Sequence, residues 1–174
     1  MVYAFDGQVP VIGKDTYISE TATVIGNVVI GDGCYIGHGA IIRGDYGRIE
    51  IGDGTAVEEA VVIHARPGET GRIGKRVTLG HSAVIHASLI EDMAVIGMGA
   101  IVSIGAEVGE WAIVSEGAVV KMNQKIPPRV VVTGAPAKVA REVLDRDIRM
   151  WTEGKQIYVD LAKKYLEVGM QRID

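Results

Sequence analysis

Aliphatic residues return at every sixth position along most of this chain, and that period leaves few folds open. One series runs Ile12, Ile18, Val24, Ile30, Ile36 and Ile42. It resumes as Ile51, Val57 and Ile63, then as Ile73, Leu79 and Ile85. A last series runs from Ile90 through Ile96, Val102, Val108, Val114, Val120 and Ile126 to Val132. Glycine often follows at once, as at Gly13, Gly31, Gly37, Gly52, Gly74 and Gly80. Four positions after a beat the side chain is mostly small: Ala22, Cys34, Ala40, Ala83, Ala94, Ala100, Ala106, Ala112 and Ala118.

A period of six is not a multiple of 3.6, and glycine is too frequent for a long helix. Six extended residues rise far enough to make one short side and a corner, and three such sides close a triangular coil. The aliphatic residue then points inward and stacks on its counterpart one coil away, while the small residue lets the chain turn. Hexapeptide repeats of this kind belong to parallel β-helices. The beats amount to roughly seven coils, or ~33 Å at ~4.8 Å per coil. The phase breaks at an insertion from Arg43 to Glu50, at another from His64 to Arg72, and at a residue lost between Ile85 and Ile90. Insertions at the corners of a solenoid often belong to its working face. Beyond Val132 the chain leaves the beat, and from about Asp145 the spacing of Ile148, Trp151, Tyr158, Leu161, Ala162 and Tyr165 becomes helical. The expected organisation is an all-β solenoid over residues 1–136, with a C-terminal helical segment, 137–174, whose apolar face lies along it. Gly154 is expected to kink or interrupt that helix.

The 174 residues suffice for one continuous core. A net charge of −4 with no basic block argues against a nucleic-acid partner. No apolar run reaches the length of a membrane span. The N-terminus lacks the basic-then-apolar pattern of a secretory leader. The single Cys34 falls at a small inward position and cannot form an intrachain disulfide. A cytoplasmic protein is the expectation.

Three of the four histidines, His64, His81 and His86, are crowded together. Let the strands of Ile51, Val57 and Ile63 define sides one, two and three of the prism. Ile73, Leu79 and Ile85 then occupy the same sides one coil on. His64 follows Ile63 and His86 follows Ile85, so both imidazoles point outward from side three about ~4.8 Å apart. Two imidazoles so spaced can reach one metal ion. Arg43, after Ile42, heads the same column. His81 lies near a corner two residues beyond Leu79 and does not join it. Three solenoids side by side about a threefold axis would bring one chain's His81 to a neighbour's His64 and His86. Three histidines with an open position are the usual arrangement of a catalytic zinc. His38 is read as a surface residue away from the cluster.

These residues carry a resemblance. The segments Ile42-Arg43-Gly44-Asp45, Ile51-Gly52-Asp53-Gly54-Thr55, Val62-Ile63-His64, Gly80-His81-Ser82-Ala83-Val84-Ile85-His86 and Gly134-Ala135-Pro136-Ala137-Lys138 together resemble the γ-class carbonic anhydrases and their ferripyochelin-binding-like relatives. The resemblance implies a left-handed β-helix and a homotrimer with a metal between subunits, held by His64 and His86 of one chain and His81 of the next. Zn2+ suits three imidazoles, as do Fe2+ and Co2+. The implied activity is reversible hydration of CO2 to bicarbonate by hydroxide formed at that metal, whose presence lowers the pKa of water from 15.7 to about 7. Arg43 and Asp45 match an interface pair, with roles in subunit pairing and in anchoring bicarbonate. Where the family usually reads Asn-x-Gln-Asp, this chain reads Ala56-Val57-Glu58-Glu59. Glu58 is thereby a candidate proton acceptor, and Glu59 stands where an Asp would pair with Arg43. Tyr158 matches a helix tyrosine placed over the pocket, and packing is its alternative role. Glu69 is a further candidate for moving the proton. Three other readings stay open: a hexapeptide acyltransferase, a thioesterase at the same metal, and a non-catalytic metal-binding or assembly subunit.

Overall fold

The computed structural model describes residues 1–86 and 89–173. The chain winds as a left-handed parallel β-helix of about seven turns, followed by one helix. The short strands pair in parallel, coil upon coil, in the register the beat requires: Ile42 with Ile63, Ile63 with Ile85, and Leu79 with Ile96. Each inward aliphatic residue therefore lies on its counterpart, and Ile30, Ile36, Ile42, Leu79 and Ile96 are all sealed from solvent. The small residues Ala22, Cys34, Ala40, Ala83 and Ala94 are equally buried beside them. The shortened corner between Ile85 and Ile90 includes Ala87 and Ser88, which lie outside the described residues.

The three sides differ in what they show to the outside. Side two carries Tyr17, Tyr35, Ala56, Thr78 and Val95 at its outward positions, and all are buried. They are covered by helix α1 (Asp145–Val168), whose Tyr158, Leu161, Ala162 and Tyr165 pack on Tyr17 and Tyr35. The end of that side is covered by a returning strand, Lys138–Glu142, which pairs antiparallel with Val130–Thr133. Side one shows a mixed, charged surface that includes Glu50, Arg72, Glu107 and Lys125. Side three presents Ile41, Val84 and Ile101, each about two-fifths exposed, with Val62 and Val119 half-buried between and beyond them. An aliphatic column left in water is unusual for a surface made of strands, whose outward positions are ordinarily polar.

Helix α1 runs unbroken through Gly154, so the expected interruption does not occur. A glycine inside a helix costs about 1 kcal/mol relative to alanine. Here the flanking turns are held by packing on side two, and that cost does not break the helix. The helix start is fixed by Asp147, which accepts the Leu144 backbone N–H at 2.9 Å and pairs with Arg141. The arginine holds that carboxyl below its ordinary range, and a negative charge in the first turn complements the helix dipole.

Candidate metal centre

His64 and His86 stand where successive coils place them. Arg43 and His64 are register partners on side three. The His64 and His86 rings stack with centroids 4.9 Å apart, one strand spacing. His86 Nε2 is buried and has no hydrogen-bond partner. Unpaired buried polar atoms are rare in native proteins and call for an explanation. Burial, followed by the charges of His64, Arg66 and Arg43, pushes the His86 pKa below its ordinary value. The shift disfavours the protonated ring.

The insertion after Ile42 supplies the rest of this edge. Arg43 Nη1 forms an ion pair with Asp45, and the other carboxylate oxygen of Asp45 lies 3.2 Å from His64 Nε2. Burial opposes ionisation of Asp45, but the hydrogen bond and charge of Arg43 outweigh it, and the carboxyl is held below its ordinary range. Glu69, in the second insertion, pairs with Arg66 at 3.1 Å.

His81 lies elsewhere on the prism, at the corner joining side two to side three, whereas His64 and His86 lie where side three turns into side one. Its backbone carbonyl accepts from Gly99 N–H, just as those of His38 and Glu59 accept from Ala60 and Ser82 N–H. His38, Glu59 and His81 are therefore equivalent positions on three successive coils. His38, expected away from the cluster, shares His81's column, but its Nδ1 is taken by Ser19 Oγ at 2.6 Å. Glu58 occupies the position that Gly37 and Gly80 fill in the adjoining coils. A Cβ at Gly37 would point at the next coil, 2.9 Å from Glu59 N. Glu58 follows the same direction, and its carboxylate accepts the His81 backbone N–H at 3.1 Å. It also lies 3.1 Å from His81 Nε2. Glu59 takes the other ring nitrogen, Nδ1, at 2.7 Å.

Glu58 is only 5% exposed. Burial raises its proton affinity, against the opposing effects of a hydrogen bond from Tyr158 and the nearby His81. Tyr158 thus both packs, with its ring 5.3 Å from Tyr35, and donates to Glu58. Within the chain Glu59 does not meet Arg43; it accepts from Tyr35 at 2.7 Å and pairs with His81.

Two participants were not anticipated from the sequence. Tyr35 anchors Glu59, and Lys155 of α1 is buried at 1% exposure with its amine donating to Thr78 Oγ1 and Ala94 O. The helical spacing carried a signal for the second, since Lys155 interrupts the stripe of Trp151, Tyr158 and Ala162.

Among the described residues, no group of three or more His, Cys, Asp or Glu side chains encloses a metal position within one chain. The donor set nevertheless fits a divalent metal. Two stacked imidazoles, one with an orphaned buried nitrogen, stand at one edge of side three, and a third imidazole stands at its other edge.

Comparison with known proteins shows the family. Residues 10–44 match the family described as bacterial transferase hexapeptide (six repeats). The chain is 39% identical over 160 residues to gamma carbonic anhydrase 2, mitochondrial, of Arabidopsis thaliana. That match takes in 88% of this chain and spans 58% of the longer plant protein. It is 38% identical to the carnitine operon protein CaiE of Citrobacter koseri, covering 92% of this chain and 81% of CaiE. A crystal structure of a Bacillus cereus protein described as a putative acetyltransferase superposes with a TM-score of 0.92 at 32% identity, over 96% of this chain and 97% of the other. Fold and residues together define a hexapeptide-repeat β-helix. The chain belongs to the γ-class carbonic anhydrase-like family of such proteins.

Proposed function

We propose that the protein hydrates carbon dioxide at a divalent metal held between the chains of a homotrimer, with His64 and His86 from one chain and His81 from the next. The observation that carries this reading is the buried, unpartnered Nε2 of His86 in a stacked histidine pair. The rest of the site supports it. The two half-sites flank one aliphatic face, side three, so a head-to-tail packing about a threefold axis through that face would bring unlike edges together. Such a contact closes into a ring, and it would cover Ile41, Val84 and Ile101.

A divalent metal there supplies Lewis-acid chemistry, making water acidic enough to act as a nucleophile near neutral pH. Zn2+ fits three imidazoles, and Fe2+ or Co2+ can take the same donors. The chain's own residues do the remainder. Hydration of CO2 releases one proton for each bicarbonate formed. Glu58 receives it, because burial raises its proton affinity above that of an ordinary carboxylate. The Tyr158 hydroxyl holds the Glu58 carboxylate in place. CO2 needs no hydrogen bond and is held by apolar side chains beside the metal position. Bicarbonate is an anion, and the Arg43 guanidinium, aimed by Asp45, binds it. Glu69 and Arg66 lie at the outer rim, where the proton passes to buffer.

Subunit mixing tests the shared site. His81→Ala and His86→Ala trimers are each expected to bind no metal. Refolded together, they restore about one intact interface in each hybrid trimer, so zinc content and CO2 hydration both return. Hybrids that stay metal-free, or a His81→Ala trimer that fills with zinc, refute the reading. The likeness to a structure called an acetyltransferase supports a second reading, acyl transfer or thioester hydrolysis. Acetyl-CoA turnover by the metal-free protein would favour transfer, and metal-dependent thioester cleavage would favour hydrolysis. Tight metal binding with neither activity would leave a structural or assembly role.

A further inference from the structure

His81 has two ring nitrogens, and a ligand histidine must keep the correct one free of a proton. In His81 the nitrogens face two different carboxylates. Glu59 Oε2 lies 2.7 Å from Nδ1. Glu58 Oε2 lies 3.1 Å from Nε2, and the same oxygen already accepts the His81 backbone N–H. The closer contact is also the better built. The second oxygen of Glu59 accepts from Tyr35 at 2.7 Å, and Tyr35 is 98% buried, its ring packed against Tyr17, Tyr158 and Tyr165. Neither oxygen of Glu59 is free to turn away.

We propose that Glu59, clamped by Tyr35, is a positioning residue that fixes the side-chain proton of His81 on Nδ1 and so leaves Nε2 to face the metal. The inference rests on the shared-site reading and extends it to the question of which nitrogen binds. A carboxylate behind a metal-binding histidine selects the tautomer, holds the ring plane and makes the other nitrogen a stronger donor. Tyr35 does for Glu59 what Glu59 does for His81. The chain Tyr35–Glu59–His81 thus runs from beneath the C-terminal helix to the edge of side three. An ordinary half-exposed ion pair between His81 and Glu59 would do none of this. It would contribute at most a little stability, sensitive to salt.

The test uses the full-length protein, first without metal. Histidine-15N NMR, with the His81 signal assigned by comparison with His81→Gln, reads the tautomer directly. Read at a pH alkaline enough that the ring carries a single proton, the wild type is expected as the Nδ1–H form and Glu59→Ala as a mixture rich in Nε2–H. Zinc affinity by chelator competition is expected to fall about 10- to 100-fold in Glu59→Ala. Glu59→Gln, whose amide oxygen can still accept from Nδ1–H, should recover part of that loss. Tyr35→Phe should weaken zinc binding in the same direction by a smaller factor. An Nε2–H tautomer in the wild type, or wild-type affinity in Glu59→Ala, overturns the proposal. Wild-type zinc affinity in His81→Gln would instead overturn the shared site, and the tautomer comparison in metal-free protein would still decide whether Glu59 positions the ring.

Discussion

Lys155→Met should abolish one specific part of the protein's dependence on pH. The Lys155 amine is sealed beneath α1, against Thr78 Oγ1, Ala94 O and, at 5.9 Å, the Trp151 ring. Burial, followed by the charge of Arg76, pushes its pKa from 10.5 down to about 7, although Glu58 pulls the other way. In the unfolded chain the amine keeps its ordinary value. Between about pH 7 and 10.5 the unfolded chain therefore holds the extra proton, and stability rises with pH through that window. The term is fully present above the unfolded pKa and is lost as pH falls toward the folded one. At 1.36 kcal/mol per pKa unit, the buried amine costs about 4 kcal/mol at pH 7 and about 2 kcal/mol at pH 9. Urea unfolding of wild type and Lys155→Met, at one protein concentration and at both pH values, reads the difference. The wild type should gain about 2 kcal/mol on the variant between pH 7 and pH 9. Groups that do not interact with Lys155 behave alike in both proteins and cancel, and Glu58, the carboxylate that does, titrates as an acid below this window. A wild-type-minus-variant difference that does not change with pH would refute the reasoning.

Leu79→Ala removes a fully buried member of the side-two column and should cost about 2–5 kcal/mol in denaturant unfolding. Gly80→Ala would place a Cβ 2.8 Å from Met98 N and 2.9 Å from Ile96 O, both backbone atoms of the next coil; a clear drop in Tm is expected, and an unchanged Tm would show that the corner yields. Val84→Glu sets a carboxylate in the middle of the aliphatic column of side three. Sedimentation should show smaller species with loss of bound zinc, and a variant still trimeric and fully loaded would remove side three as the interface. Tyr158→Phe keeps the ring packing and deletes the hydroxyl that donates to Glu58; CO2 hydration should fall with zinc content unchanged.

The solenoid could be read from the sequence because its period is enforced by the core itself. An inward residue that slipped by one position would face water, so Ile42, Ile63 and Ile85 had to recur in register. The same counting placed Arg43 and His64 side by side and His86 one coil beyond. It could not say what covers each side, because outward residues obey no such constraint. Tyr17 and Tyr35 lie under α1, yet nothing in a six-residue beat distinguishes a covered tyrosine from a solvated one. Gly154 misled for a related reason: propensity spoke for a break, and the helix, packed on side two, continues through it. The link from Tyr35 to Glu59 spans 24 positions and becomes visible only once corner residues of successive coils are aligned. Lys155 broke the rule that charged residues mark the wet face of a helix.

The three sides of the prism differ in what covers them, and that difference bears on the proposed sharing of a site between chains. Side two is occupied by α1, which seals Tyr35 and Lys155 and, through Tyr158, reaches the carboxylate of Glu58. Side one carries charges that hold it in solvent. Side three alone is aliphatic and bare, and it is bounded by the two groups of histidines. A coil of three short strands is too narrow to wrap a cation with residues of its own corners, because outward side chains at different corners diverge. Neighbouring corners of two prisms converge. The glycine-rich corners at 37, 80 and 97 keep the edge of side three narrow, and Glu58 is the exception in that row, extending along the column to His81. The residue that departs from the repeat is therefore the one placed beside a candidate ligand. Its neighbour Glu59, equally out of pattern, holds that ligand from behind. The breaks in the repeat, not the repeat itself, are where the proposed chemistry sits.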